Sequence, residues 1–156
     1  METAEVVETM ALPLDATSVV AGAGIIATGD AGGTLRLRRL GAQDPYSEQF
    51  AHAGGISSVV IQAEASIVVT AGLDGDVRVW DLESGEQLYT MISGSGTIQS
   101  LDVSRDGSRL LVLRGDAAVG ILALDVGALI EIARDQVTRS LTGDECARYL
   151  GGPCEG

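Results

Sequence analysis

Apolar and polar positions alternate in short runs along this chain, and the runs recur. Shifting the sequence against itself by 42 residues, the separation of Gly33 and Gly75, brings three stretches into register. Leu14, Thr17 and Val19 fall on Ile56, Val59 and Ile61, then on Ile98, Leu101 and Val103. Ile26-Ala27-Thr28 falls on Val68-Val69-Thr70 and on Leu110-Leu111-Val112. Leu35, Leu37 and Leu40 map to Val77, Val79 and Leu82, then to Val119, Ile121 and Leu124. The alignment needs no insertion. A fixed period of this length marks a repeat architecture, in which each copy buries its apolar faces against its neighbours.

The runs are rich in β-branched residues and are separated by turn residues. In the central copy they predict strands at Ile56–Gln62, Ile67–Ala71, Val77–Asp81 and Gln87–Ile92. Asp74-Gly75 is a tight-hairpin signal, and Glu83-Ser84-Gly85 a looser turn. A helical repeat would need periodicity near 3.6, whereas these segments alternate or run fully apolar. The expected fold is all-β, with three four-stranded antiparallel sheets over residues 1–125 and the best-matched copy at about 52–92. Glu5 to Glu8 aligns with Ser47–Phe50 and with Tyr89–Ile92, which predicts an outermost strand at the start and twelve strands in all.

The period changes near the end. From Ala128, the residues Ile130, Ala133, Val137 and Leu141 recur at three- and four-residue steps, predicting an amphipathic helix. Thr142 and Glu145 form a capping box for a second short helix, whose apolar stripe is Cys146, Tyr149 and Leu150 and which stops at Gly151-Gly152-Pro153. Residues 126–156 are therefore expected to be a helical cap.

Composition and charge narrow the function classes. Apolar residues make up 46% of the chain and charged ones 21%, the balance of a globular domain. No apolar run is long enough to span a bilayer, and the acidic start lacks the charge of an export signal, so a cytoplasmic location is expected. All ten basic residues are arginine, set against 22 acidic ones for a net charge of −12. Such a chain is repelled by phosphate backbones and anionic lipids, so neither nucleic acid nor membrane is an expected partner. Only Arg36, Arg38 and Arg39 cluster, and strand alternation divides them between two faces.

The residues themselves resemble the WD-repeat family of β-propellers. His52-Ala53-Gly54-Gly55-Ile56 is similar to the Gly-His element that opens a WD repeat, with Ala51 where Gly is usual. The run Asp74 to Asp81, which ends in Trp80-Asp81, resembles the family's closing pattern. Val103-Ser104-Arg105-Asp106-Gly107 resembles the loop between the first two strands of a blade. The likeness covers roughly residues 12 to 124. It is degenerate in the outer copies, where Arg38-Arg39 and Leu122-Ala123 occupy the Trp-Asp positions. The run from Leu141 to Cys154 also resembles the closing segment of large bacterial WD-repeat regulators, in which a signalling NTPase or DNA-binding region precedes the propeller. The resemblance implies a non-catalytic interaction platform for protein or peptide partners, forming the C-terminal part of a larger regulator. Three blades are too few to close a propeller. Further blades are thus expected from a longer chain or from a second copy, including two chains joined head to tail. The alternative is a ligand-binding or enzymatic propeller with a site at the central channel.

Each chemically suggestive feature has a competing reading. His52, Thr70, Asp74 and Trp80 match the positions at which the family builds a structural hydrogen-bonded relay, and His52 oriented by Asp74 would otherwise suggest a general base. Gly22 and Gly24 have dinucleotide-loop spacing, but a strand rather than a helix is predicted after them, so they read as a hairpin turn. Asp74 and Asp76 do not make a calcium loop, because the twelfth position is Gly85. Cys146 and Cys154 form a disulfide only if the Gly151-Gly152-Pro153 turn folds the end back, and an intracellular chain keeps them as thiols. No cofactor and no metal are expected.

Overall fold

A computed structural model describes residues 12–92 and 96–124 of the chain. The chain divides into two compact units, the first running to Leu122 and the second beginning at Ala123. The expected outer strand at Glu5 to Glu8, the helical tail and both cysteines lie outside the described residues.

Eleven strands are described, all paired antiparallel. The first sheet is β1 (Ala16–Gly22), β2 (Ile25–Asp30), β3 (Thr34–Arg39) and β4 (Ser47–Phe50), in that order. The second is β5 (Ile56–Gln62), β6 (Ile67–Gly72), β7 (Val77–Asp81) and β8 (Gln87–Ile92). The third has three described strands, β9 (Ile98–Val103), β10 (Arg109–Arg114) and β11 (Val119–Ala123), with β10 in the middle. In the central copy, β6 runs one residue beyond the expected Ala71. The segment after Gly24 is strand β2, which excludes the helix that a dinucleotide loop requires.

The gapless alignment holds for two of the three strand rows and fails in the row of first strands. Thr28 lies 42 residues before Thr70, yet its partner Val19 lies only 40 before Val59. Ala16, Val19 and Ala21 thus take the places of Ile56, Val59 and Ile61, and Leu14 is fully exposed. The cause is the first hairpin. Ala23 and Gly24, with φ of 53° and 72°, form a two-residue turn in which both positions are left-handed, whereas β5 and β6 are joined through four residues ending at Ser66.

Burial alternates as strand geometry requires. In β3, Leu35 and Leu37 are buried while Thr34, Arg36 and Arg38 lie on the other face. The leucines join Ile25 and Ala27 against Ile56, Val59, Val68, Trp80 and Leu82 of the second sheet. Fully burying one such aliphatic side chain is worth about 1.5–3 kcal/mol, so this layer dominates the first interface.

Polar side chains tie the sheets together as well. Thr17 Oγ1 donates to the Ile56 carbonyl at 2.5 Å, and Ser18 Oγ accepts the Val59 N–H at 3.1 Å. Ser58, which corresponds to Ser18 in strand register, accepts the Leu101 N–H at 3.1 Å. The Tyr46 hydroxyl donates to the Leu82 carbonyl.

Gly29 shows how closely the first two sheets approach, since a Cβ there would sit 2.4 Å from Ile56 Cγ2. Gly29→Ala is expected to lower unfolding stability by about 1–3 kcal/mol, the usual cost of overpacking a filled interface. Urea denaturation monitored at Trp80 measures it, and an unchanged midpoint contradicts this packing.

Candidate functional site

The one histidine is the second residue of the loop between β4 and β5, and the backbone there is fixed before its side chain acts. The N–H groups of Ala51 and His52 both donate to the Gly33 carbonyl, at 2.8 and 3.0 Å. Gly33 has φ of +87°, and a Cβ on it would collide with the His52 carbonyl. The imidazole is directed onto the second sheet, where it meets Thr70 from β6 and Asp74 from the β6–β7 turn.

The four expected relay residues come together. His52 Nδ1 lies 2.9 Å from Asp74 Oδ1, and His52 Nε2 lies 2.7 Å from Thr70 Oγ1. Trp80 Nε1 donates to Thr70 Oγ1 at 2.9 Å. Donor inventory fixes the direction of the chain. The Asp74 carboxylate can only accept, so His52 Nδ1 carries the proton donated to it, and Nε2 of the neutral ring accepts the Thr70 hydroxyl, whose oxygen in turn accepts the indole N–H. Both ring nitrogens are then used, and His52 and Thr70 are completely buried. Among the described residues, no buried side-chain nitrogen or oxygen lacks a hydrogen-bond partner.

Asp74 closes the turn. It also accepts the backbone N–H groups of Ala53 and Asp76, both at 3.1 Å, and an Arg78 guanidinium N–H at 3.3 Å. Arg78 reaches further to Asp76 Oδ2 at 2.5 Å. Burial alone would raise the Asp74 carboxyl, but the bonds from His52, Asp76 and Ala53 outweigh it and hold the group below the ordinary carboxylate value. Burial lowers the His52 pKa, opposed only in part by its bond to Asp74, so the ring is neutral at pH 7.

Gly72 is a site residue that sequence reasoning missed. A Cβ there would stand 2.4 Å from the His52 ring and 2.6 Å from Asp74 Oδ1. Its predecessor by 42 residues is Asp30, and nothing in the hydropathy pattern marks the need for glycine in the second copy.

The flanking sheets lack this arrangement. In the first, Arg36 takes the place of Arg78 and pairs instead with Asp30 at 2.5 Å and Glu48 at 3.0 Å. Arg39 lies on the opposite face from Arg36, its guanidinium 5.2 Å from the Tyr46 ring centre. In the third, Asp116 matches Asp74 and accepts the Ala118 N–H at 3.1 Å, but Val112 stands where Thr70 does. Neither of two surface grooves is lined by the relay. One of about 310 Å³ is bordered by Ile26, Thr28, Arg36 and Arg38, and one of about 290 Å³ lies between the turns at residues 61–64 and 103–107. Among the described residues, no three histidine, cysteine or acidic side chains are grouped to hold a metal ion, and no helix is long and apolar enough to cross a membrane.

Residues 44–81 match the family described as WD domain, G-beta repeat. The matched stretch contains β4 of the first sheet together with β5, β6 and β7 of the second, and so includes every relay residue. The chain is 32% identical over 92 residues to the angio-associated migratory cell protein of Homo sapiens, an alignment covering 59% of this chain and 21% of that protein. It is 29% identical over 70 residues to the small ribosomal subunit protein RACK1 of Caenorhabditis elegans, covering 45% and 21%. It is 26% identical over 97 residues to the same organism's WD repeat-containing protein 46, covering 58% and 17%. The alignments thus span about a fifth of the length of these relatives. A crystal structure of the computationally designed Ika8 protein superposes with a TM-score of 0.63 at 20% identity over 72% of this chain and 34% of that one, a likeness of fold alone. These matches support the WD-repeat family.

Two outcomes follow for the relay. Asp74→Ala leaves the His52 Nδ1–H and the Ala53 and Asp76 N–H groups short of an acceptor, and stability is expected to fall by about 1–3 kcal/mol in thermal or urea melts. The pH response has a definite sign. Because His52 has a folded-state pKa below 6.5, its contribution is complete above pH 6.5 and is lost as pH falls from there towards the folded value. The Asp74 contribution is likewise present above its ordinary 3.8 and lost as pH falls through its lowered value. The melting temperature should therefore decline on acidification below about pH 6.5. His52→Asn should flatten the upper part of that decline, and an identical pH profile in the variant contradicts the assignment.

Proposed function

We propose that this chain is a non-catalytic WD-repeat interaction platform that binds protein or peptide partners. We further propose that it is the C-terminal portion of a larger regulatory or signalling protein of the bacterial cytoplasm. The observation that carries the platform reading is the state of the relay. The one histidine and its orienting carboxylate form the obvious general-base pair, yet His52 is wholly buried and both its ring nitrogens are engaged within the sheet. A general base has to reach the proton it removes. We accordingly assign His52, Thr70, Asp74 and Trp80 the role of saturating polar groups at the junction of the first two sheets. The matches to WD-repeat proteins support the same reading, because that family generally supplies scaffolds.

Recognition is assigned to exposed turns, which vary without disturbing the sheets. The groove of about 290 Å³ suits a side chain of an extended peptide. It has apolar walls at Ile61 and Val103, with Glu64 and Arg105 at its rim. The net charge of −12 favours a basic partner over an acidic one.

Panning a random peptide library against the full chain tests this reading. A saturable, enriched peptide whose binding weakens about tenfold in Glu64→Arg, a loss of about 1.4 kcal/mol, is the expected result. Failure to enrich any peptide counts against it. So does turnover of a chromogenic ester or phosphate that His52→Asn abolishes without unfolding the chain.

A further inference from the structure

The turn that joins β5 to β6 and the turn that joins β9 to β10 are tied together by a buried glutamine. Gln62 Nε2 donates to the Gly107 carbonyl at 3.3 Å, and its Oε1 accepts the Ala65 N–H at 2.5 Å. Gly107 has φ of +69°, and a Cβ on it would collide with the Gln62 amide. The groove of about 290 Å³ is lined by this bridge and by the half-buried Ile61 and Val103. Its two walls belong to sheets that are bonded to each other within the chain, so it needs no further sheet to form.

The polar groups of the β9–β10 turn are used within the turn itself. Ser104 Oγ donates to Asp106 Oδ1 at 2.6 Å and accepts the Arg109 N–H at 2.9 Å, and Asp106 also accepts the Ser108 N–H at 3.2 Å. Two exposed rim charges are left over, one of each sign. Among the described residues, the side chains of Glu64 and Arg105 make no ion pair or hydrogen bond. Of the other described arginines only Arg109 shares that state. Arg36, Arg78 and Arg114 pair with carboxylates, Arg39 lies against a ring, and Arg38 is engaged as well.

Volume and charge together select a ligand. At the lower limit of ligand-pocket size, the groove holds little more than one residue. An apolar stem suits Ile61 and Val103, a cation suits Glu64, and an anion suits Arg105. A lysine or arginine inside a chain brings only the stem and the cation. At the end of a chain the same residue also carries the α-carboxylate, and so meets all three demands. We propose that the groove captures the C-terminal residue of a peptide that ends in lysine or arginine. The stem lies between Ile61 and Val103, the cationic head faces Glu64, and the carboxylate faces Arg105. This assignment rests on the platform reading above and specifies which part of the peptide is recognised.

Fluorescence anisotropy with the full chain and a labelled alanine peptide ending in lysine tests it. Binding should weaken about three- to fivefold when the end is amidated, the scale of an ion pair at a rim. Norleucine in place of the lysine should cost a similar factor. Arg105→Gln should erase the difference between acid and amide, and Glu64→Gln the difference between lysine and norleucine. Both residues are exposed, so each variant is expected to keep the circular dichroism of the parent. If one does not, the acid–amide and lysine–norleucine comparisons on the unaltered chain decide the matter. Equal binding within either pair overturns the proposal, and the platform reading survives if panned peptides still bind. A chain that binds no peptide at all overturns both. Free lysine that binds as tightly as the peptide also overturns the proposal, because the ligand is then the amino acid and not a chain end.

Discussion

Every residue of β6 is buried, with Val68 directed to the first sheet's side and Val69 to the third's. That two-sided burial is the constraint on which the rest of the structure depends. A strand apolar on both faces cannot belong to an isolated sheet, because one face would stay in water at about 25 cal/mol per Å². It has to be sandwiched, and the 42-residue repeat supplies the sandwich by placing another sheet on each side. The glycines at close approaches follow from the same demand. Gly29 admits Ile56 and Val59 to the backbone of β2, and Gly22 admits Ile61.

Close packing creates a polar problem, which the relay and the serines address. An indole N–H, a threonine hydroxyl and an imidazole lie where water cannot reach them, and each unpaired group would cost about 1–3 kcal/mol. Their mutual bonds leave none unpaired, while Asp74 lies at the edge and joins the chain to the turn backbone. Ser18 and Ser58 act similarly on the first-strand row, accepting the Val59 and Leu101 N–H groups from the next sheet. These bonds fix the height of one sheet against the next, which apolar contacts alone leave free to slide.

Strand boundaries in the central copy were legible because turn residues punctuate them. β5, β7 and β8 begin and end where Gln62, Asp74-Gly75 and Glu83-Ser84-Gly85 imply. The two-residue shortening of the first copy was not legible, for a reason built into strand geometry. Side chains alternate with a period of two, so sliding β1 by two residues keeps every apolar position on the same face. Leu14 and Ala16 are then interchangeable to any hydropathy argument, and only the two-residue turn at Ala23-Gly24 decides between them. Ser18, Ser58 and Gly72 were invisible for a different reason. Their importance lies in what another sheet or side chain brings to them, and that distance is not encoded in spacing along the chain.

The degenerate copies show which relay members persist alone: the first keeps Thr28 at the Thr70 position and the third keeps Asp116 at the Asp74 position. Where Thr70 and Trp80 stand in the second copy, the third has Val112 and Leu122, and Gly94 stands where His52 does. Removing one member strands its partners in a dry environment, whereas replacing all of them by apolar groups or glycine leaves nothing unsatisfied and is close to neutral. Asp116 survives in that copy because it has separate work, accepting the Ala118 N–H within its own turn. The first copy has taken a third route. With Gly32 at the Asp74 position and Arg38 at the Trp80 position, it saturates its polar face through Asp30, Arg36 and Glu48. Burial lifts the Asp30 carboxyl and its bonds to Thr34 and Arg36 pull it down further, so the pair is charged and self-contained. Three chemically different solutions sit on one repeated backbone, because the backbone demands only that buried polar groups be paired and is indifferent to which groups pair them.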